Sequence, residues 1–116
     1  MEYKYIKTDY LDMVSGGDSA LVRELVIMFA EQVEEILSLM KVHLSEKNYD
    51  ELGLLAHKAK SSVAIMGMDD LAEVLKIFEQ QAKEGRDPDD YEHYIARFGS
   101  DTRAAMAELD ILINKL

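Results

Sequence analysis

Apolar residues recur every three to four positions along most of the chain, which is the spacing of helices with one buried face. The clearest example covers residues 48–67. At about 100° per residue, a single stripe collects the apolar side chains of this segment. They are Leu52, Leu55, Ala56, Ala59, Val63 and Met66. Asn48 and Glu51 form a capping-box pattern, and Gly67 suits the left-handed backbone just past a helix end. We therefore predict one amphipathic helix here.

The N-terminal side of this helix carries the same spacing. Residues 1–7 are predicted to be a segment held by the apolar side chains of Tyr3, Tyr5 and Ile6. Thr8 or Asp9 then caps a short helix that runs through Val14 and is stopped by Ser15-Gly16-Gly17. Asp18 caps a long helix over about residues 19–46. The predicted core stripe of that helix is Leu21, Leu25, Met28 or Phe29, Ile36 and Met40.

The C-terminal side predicts two more helices. Asp70 and Glu73 form a second capping-box pattern at the start of a helix over residues 71–84. Asp87 followed by Pro88 is the order that opens a helix. Because the apolar phase continues unchanged across residues 99–100, we predict one continuous last helix up to the C-terminus.

Together these segments predict an all-α fold. Short connections between long helices favour antiparallel neighbours, so we expect an antiparallel four-helix bundle over residues 18–116. Residues 1–17 supply an N-terminal segment and the short helix. No run alternates apolar and polar residues, so the sequence indicates no sheet. A chain of 116 residues is long enough for one core, and we expect a single domain.

Composition narrows the functional classes. The formal net charge of −10 argues against a nucleic-acid partner and against an anionic membrane surface. Without cysteine, the chain has no disulfide framework and no thiolate chemistry. There is no apolar run of membrane-spanning length and no signal-peptide pattern at the N-terminus. We expect a cytoplasmic protein.

The candidate chemistry lies opposite the predicted core stripe, around His57. Its helical neighbours on that side are Gly53, Lys60, Ser61 and Ala64. A solvent-facing histidine on a helix is by itself usually an ordinary surface residue. A mid-helix glycine costs about 0.8–1 kcal/mol relative to alanine, so Gly53 is not explained by helix stability. We interpret the group as an exposed imidazole beside one ammonium, on a low ridge that another protein surface can approach.

The segment H-K-A-K-S-S-V-A-I-M-G, which begins at His57, resembles the histidine-containing phosphotransfer (HPt) domain. That family has a lysine three residues after the histidine, then small residues, a glycine at ten and a leucine at fourteen. Here these positions are Lys60, Ser61-Ser62, Gly67 and Leu71. The family often has glycine where this chain has Ser61. The resemblance extends to the length and helical layout of nearly the whole chain.

The resemblance implies a phosphocarrier in a multistep His-Asp phosphorelay of two-component signalling. His57 would accept a phosphoryl group from a receiver-domain aspartyl phosphate and pass it to another receiver aspartate. Imidazole suits this role because it is neutral and nucleophilic near pH 7. Lys60 would stabilise the phosphoryl oxygens. We expect a carrier without autokinase activity, not an enzyme.

The resemblance also implies the partners. They are response-regulator receiver domains, with a hybrid sensor histidine kinase as a further candidate, and the chain itself is expected to be a monomer. No cofactor is expected on this chain, because Mg²⁺ belongs to the receiver. The expected partner-interface residues are Gly53, Lys58, Ser61 and Ala64. Glu79, on the facing helix, either orients the imidazole or is an ordinary surface glutamate.

Other functional readings remain open at this point. The chain could be a helical adaptor of the same fold that binds a receiver or kinase domain without being phosphorylated. A metal-binding bundle is disfavoured, since His43 and His93 have no partners at metal-ligand spacing. Four apolar residues fall outside the predicted stripes and either contact the N-terminal segment or form a partner surface. They are Val26, Ile27, Leu54 and Ile65.

Overall fold

The computed structural model describes residues 3–116. Met1 and Glu2, the first residues of the predicted N-terminal segment, lie outside the described residues. The helices are α1 (Asp9–Ser15), α2 (Ser19–Ser45), α3 (Tyr49–Ile65), α4 (Asp69–Glu84) and α5 (Tyr91–Asn114), with a 3₁₀ turn at Pro88–Asp90 before α5. Residues 3–116 contain no strand, which confirms the predicted all-α fold.

Four of the helices form the predicted antiparallel bundle. The connections at residues 46–48 and 66–68 are too short for anything but a reversal of the chain between α2, α3 and α4. α3 packs along α4 and α2, and α5 closes the bundle against α2 and α4. The described residues measure 43 × 21 × 20 Å, close to the length of about 40 Å expected for the 27 residues of α2. The short helix α1 packs on α2.

The buried face of α2 differs from the predicted stripe. Its core residues are spaced alternately four and three apart: Val22, Val26, Phe29, Val33, Ile36 and Met40. Val26, predicted to lie outside the stripe, is only 2% exposed, whereas Met28 is 54% exposed. Leu21 and Leu25 border the core and are half-buried. The prediction is wrong at the N-terminal end of this stripe, because it assigned the larger leucines to the core. The smaller Val22 and Val26 are the residues in helical phase with Phe29 and the rest of the buried face.

Only one of the three side-chain caps predicted for α2, α3 and α4 forms a capping hydrogen bond. Asp18 caps α2 as predicted, accepting hydrogen bonds from the amides of Ala20 and Leu21 at 2.9 and 3.3 Å. Asn48 precedes α3, but its side chain makes no capping hydrogen bond. The predicted capping box at Asp70 is wrong, since α4 already begins at Asp69. Both aspartates therefore lie in the first turn, where negative charge is favoured by the helix dipole.

The start of α5 also differs from the prediction, while its continuity is confirmed. Asp87 adopts a left-handed backbone (φ 53°) and makes no side-chain cap. Pro88 therefore opens a 3₁₀ turn, and the α-helix starts only at Tyr91. From there α5 runs without interruption through residues 99–100 to Asn114.

Three successive backbone amides of the N-terminal strap, residues 3–7, donate to one carboxylate. The backbone amides of Lys4, Tyr5 and Ile6 donate to the Glu108 carboxylate at 2.7, 2.8 and 3.0 Å. The predicted apolar anchors pack as expected, with Ile6 3% exposed and Tyr3 and Tyr5 partly buried against the core. The strap therefore ties the start of the chain to α5.

Gly67 lies where this strap crosses the turn between α3 and α4. Its φ of +72° confirms the predicted left-handed backbone. The Lys7 amide donates to the Met66 carbonyl oxygen at 3.0 Å, which brings the two segments into direct backbone contact. A Cβ at Gly67 would lie 2.5–2.7 Å from the Lys7 Cβ, carbonyl oxygen and amide nitrogen. The glycine is therefore required for close approach as well as for its conformation.

Candidate functional site

His57 lies on the exposed side of α3, next to a carboxylate from α4. Its side chain is 58% exposed. The ring Nδ1 lies 3.1 and 3.0 Å from the two carboxylate oxygens of Glu79. In a neutral imidazole one nitrogen carries the proton and the other carries the lone pair. A carboxylate at Nδ1 favours the tautomer with the proton there, which leaves the lone pair on Nε2.

Glu79 is the centre of a small ion-pair cluster. The residue is only 7% exposed. The Lys60 ammonium lies 3.2 Å from Oε1, and the Lys83 ammonium lies 2.7 Å from Oε2. Burial by itself raises the pKa of Glu79, but the hydrogen bonds from Lys83, Lys60 and His57 outweigh burial and lower the pKa to about 2. The carboxylate is therefore ionised at any physiological pH.

Lys60 meets the expectation that it shares a side of the helix with His57. Its side chain is 28% exposed, since it leans toward Glu79 and away from open solvent. Both Lys60 and the imidazole contact Oε1 of the same carboxylate. An ammonium is thus held beside the ring.

Gly53 does not lie on the exposed ridge that the sequence suggested. It is buried where α3 meets α4. A Cβ there would lie 3.0 Å from the Lys83 Cγ, 3.5 Å from the Lys83 amide nitrogen and 3.6 Å from the Glu79 carbonyl oxygen. The residue one turn before His57 therefore faces α4, because His57 itself reaches toward that helix. Gly53 serves helix packing, and it is not available to a partner.

The other expected interface residues do lie on the surface. Lys58, Ser61 and Ala64 are all exposed. The Ser61 hydroxyl donates to the His57 carbonyl oxygen at 3.3 Å, so it stays close to the helix. Leu71, by contrast, is 2% exposed and belongs to the core.

Two residues of this cluster, Glu79 and Lys83, are not among the site residues predicted from the sequence, which leaves two roles open for Glu79. The helical spacing of both residues nevertheless carries a signal. Glu79 follows Leu75 by four positions and so falls at the edge of the core phase, where a charged residue needs partners. Lys83 follows Glu79 by another four, the spacing of a helical ion pair.

The described surface supports neither a metal centre nor a membrane span. No group of three or more His, Cys, Asp or Glu residues among residues 3–116 is arranged to hold a metal ion. Within the same range, no helix has the length and apolarity needed to cross a bilayer.

Comparison with protein families gives a match over most of the chain. The family model of the Hpt domain matches residues 24–114, which covers nearly all of α2 and the whole of α3, α4 and α5. Comparisons with curated proteins and with solved structures gave no match.

Proposed function

Since the chain belongs to the Hpt domain family, we propose that it is a phosphocarrier of a multistep His-Asp phosphorelay, with His57 as the residue that is phosphorylated. In this proposal His57 takes the phosphoryl group from an aspartyl phosphate of one receiver domain and passes it to an aspartate of another. The observation that carries the proposal is an exposed imidazole whose Nδ1 lies 3.0 Å from a buried carboxylate.

The geometry supports Nε2 as the nucleophile. Glu79 holds the proton on Nδ1, and the Nε2 lone pair attacks the phosphorus of the aspartyl phosphate. A bond forms between Nε2 and phosphorus, and the bond from phosphorus to the aspartate oxygen breaks, so the receiver carboxylate leaves with the electron pair. The ring then carries positive charge, which the adjacent Glu79 carboxylate stabilises. Transfer to the second receiver reverses these steps.

Lys60 is placed to stabilise the transferred group. Phosphoryl transfer spreads negative charge over three equatorial oxygens, and catalysis of it consists mainly of positioning and charge stabilisation. The Lys60 ammonium is 3.2 Å from Glu79, next to the ring, and its flexible stem lets it turn to a phosphoryl oxygen. By family analogy Mg²⁺ belongs to the receiver, and this chain contributes the nucleophile, an ammonium and a docking surface.

The docking surface surrounds His57 on α3. Lys58, Ser61 and Ala64 are exposed there, and the apolar side chains of Leu54 and Ile65 are 58% and 38% exposed. Exposed apolar residues beside small ones suit a protein partner. We propose a monomeric carrier in the cytoplasm that binds receiver domains with this surface.

Phosphotransfer from a receiver tests the function directly. The protein is incubated with receiver domains phosphorylated by a small-molecule phosphodonor, and acid-labile phosphate on it is measured. We expect uptake by the wild type and none by His57→Gln, while His43→Gln and His93→Gln behave like the wild type. The histidine assignment is overturned if His57→Gln takes up phosphate at the wild-type rate. Receiver binding without any uptake by the wild type would instead establish the non-phosphorylated adaptor.

A further inference from the structure

Lys83 of α4 reaches the site across Gly53 of α3. Its Cγ lies 3.0 Å from where a Cβ of Gly53 would be, so the lysine stem runs directly over the glycine. The ammonium at the end of that stem lies 2.7 Å from Oε2 of Glu79. The same oxygen is 3.0 Å from Nδ1 of His57. Lys83 is therefore connected to the imidazole through one carboxylate oxygen.

The two lysines of the cluster hold Glu79 in different ways. Lys60 comes from α3 and contacts Oε1, whereas Lys83 comes from the same helix as Glu79 and contacts Oε2. In the proposed function Lys60 turns to the incoming phosphoryl group, so Oε1 loses that partner during transfer. Lys83 has the shorter contact, and it stays on the carboxylate. A buried carboxylate that keeps one ammonium remains ionised and oriented.

We propose that Lys83 is a positioning residue for phosphoryl transfer, placed by the glycine at position 53. Its ammonium fixes the Glu79 carboxylate, which in turn keeps the His57 proton on Nδ1 and presents Nε2 to the receiver. This inference deepens the proposed function and rests on it. The proposal also explains the glycine at position 53, because a side chain there would displace the stem of Lys83.

The burial of Glu79 separates this arrangement from an ordinary surface ion pair. In an exposed ion pair on a helix both charged groups stay hydrated, and loss of the pair changes the stability of the protein little. Here the carboxylate is 7% exposed, while Lys83 is half-exposed and free to be changed without disturbing the core. Loss of its charge therefore acts on the orientation of the carboxylate, and through it on the ring.

The test compares Lys83→Met with Lys83→Arg and with a matched control. Methionine keeps an unbranched apolar stem over Gly53 and removes the charge, while arginine restores the charge. Lys41→Met removes one lysine charge from the groove between α2 and α5, away from Glu79. Two quantities are measured: the ring ¹⁵N resonances of His57 by NMR without any receiver, and single-turnover transfer over a series of receiver concentrations.

For Lys83→Met we expect the ¹⁵N resonances to move toward a mixture of tautomers. The saturating transfer rate should fall roughly three- to tenfold with the half-saturating receiver concentration unchanged. Lys83→Arg should recover most of the rate, and Lys41→Met should match the wild type. Gly53→Ala should slow transfer in the wild-type background and add nothing in the Lys83→Met background, because both changes act on one contact.

Two results would overturn the proposal. One is a Lys83→Met protein with wild-type ring resonances and a wild-type saturating rate. The other is a change confined to the half-saturating concentration, which would make Lys83 a docking residue. If the wild type takes up no phosphate at all, the proposed function fails, and the ring resonances still decide whether Lys83 positions His57.

Discussion

Replacing Gly67 with alanine should destabilise the fold more than the same change at another helix end. Two costs combine at this position. The left-handed backbone (φ +72°) costs an alanine about 1–2 kcal/mol, and the new Cβ would lie 2.6 Å from the Lys7 carbonyl oxygen. Backbone cannot give way as a flexible side chain can, so the strap must move.

The structure allows the size of the effect to be worked out. Movement of the strap breaks the 3.0 Å hydrogen bond from the Lys7 amide to Met66, worth about 0.5–1.5 kcal/mol net. Alanine also restricts the unfolded chain, which offsets about 0.4–1 kcal/mol. These contributions sum to a net loss of about 1–3 kcal/mol in the free energy of unfolding. For a domain of this size that corresponds to a fall of roughly 4–12 °C in Tm.

Gly85 provides a matched control. It ends α4 with a similar φ of +64°, and nothing lies within 4 Å of the position its Cβ would take. Gly85→Ala therefore carries the conformational cost without the clash, and we expect a loss of about 1 kcal/mol or less. Urea unfolding followed by circular dichroism measures both variants. If Gly67→Ala and Gly85→Ala lose the same stability within about 0.5 kcal/mol, close approach of the strap is not what requires the glycine.

Two further predictions concern the charged residues of the site. In single-turnover assays at two ionic strengths, Lys60→Ala should lower the transfer rate at saturating receiver. Lys58→Ala should instead raise the half-saturating receiver concentration, by an amount that shrinks as the salt concentration rises. The opposite pattern would mean that the roles of the two lysines are exchanged. The pKa of Glu79 is lowered from 4.5 to about 2, so its ion pairs contribute stability above about pH 4.5 and lose it as the pH falls toward 2. The stability difference between the wild type and Glu79→Gln should therefore shrink on acidification, and a difference that stays constant from pH 7 to pH 3 in urea unfolding would refute the role of the ionised carboxylate.

The helices were predictable because each buries one face. A buried face requires apolar residues every three to four positions, and that spacing is visible in the sequence. The segment predicted over residues 48–67 is α3, Tyr49–Ile65, within two residues at each end. Caps were less predictable. Asp18 and Asp70 offer the same side-chain chemistry, but of the two only Asp18 caps a helix, because the N-cap position of α4 is Met68, two residues before Asp70.

The candidate site was predictable on α3 alone. Helical spacing brought His57 and Lys60 together, since both lie on one helix. The spacing along α3 does not show which residues of another helix lie opposite His57 and Lys60. It therefore predicts an exposed Gly53, whereas α4 covers this residue. The close approach of the strap to Gly67 could not be predicted either, because its neighbour Lys7 lies sixty residues away in the sequence. Contacts between helices depend on their rotation and offset, and a single helix's pattern does not contain either.

The Glu108 carboxylate also sets an order of events during synthesis. The amides of Lys4, Tyr5 and Ile6 leave the ribosome before Glu108, which follows 102–104 residues later. These three hydrogen bonds therefore cannot form until Glu108 has emerged. Until then the strap can be held only by contacts such as the Lys7–Met66 hydrogen bond at the turn between α3 and α4. A nascent chain stalled before residue 108 should expose the strap to proteases even when α2, α3 and α4 have already associated.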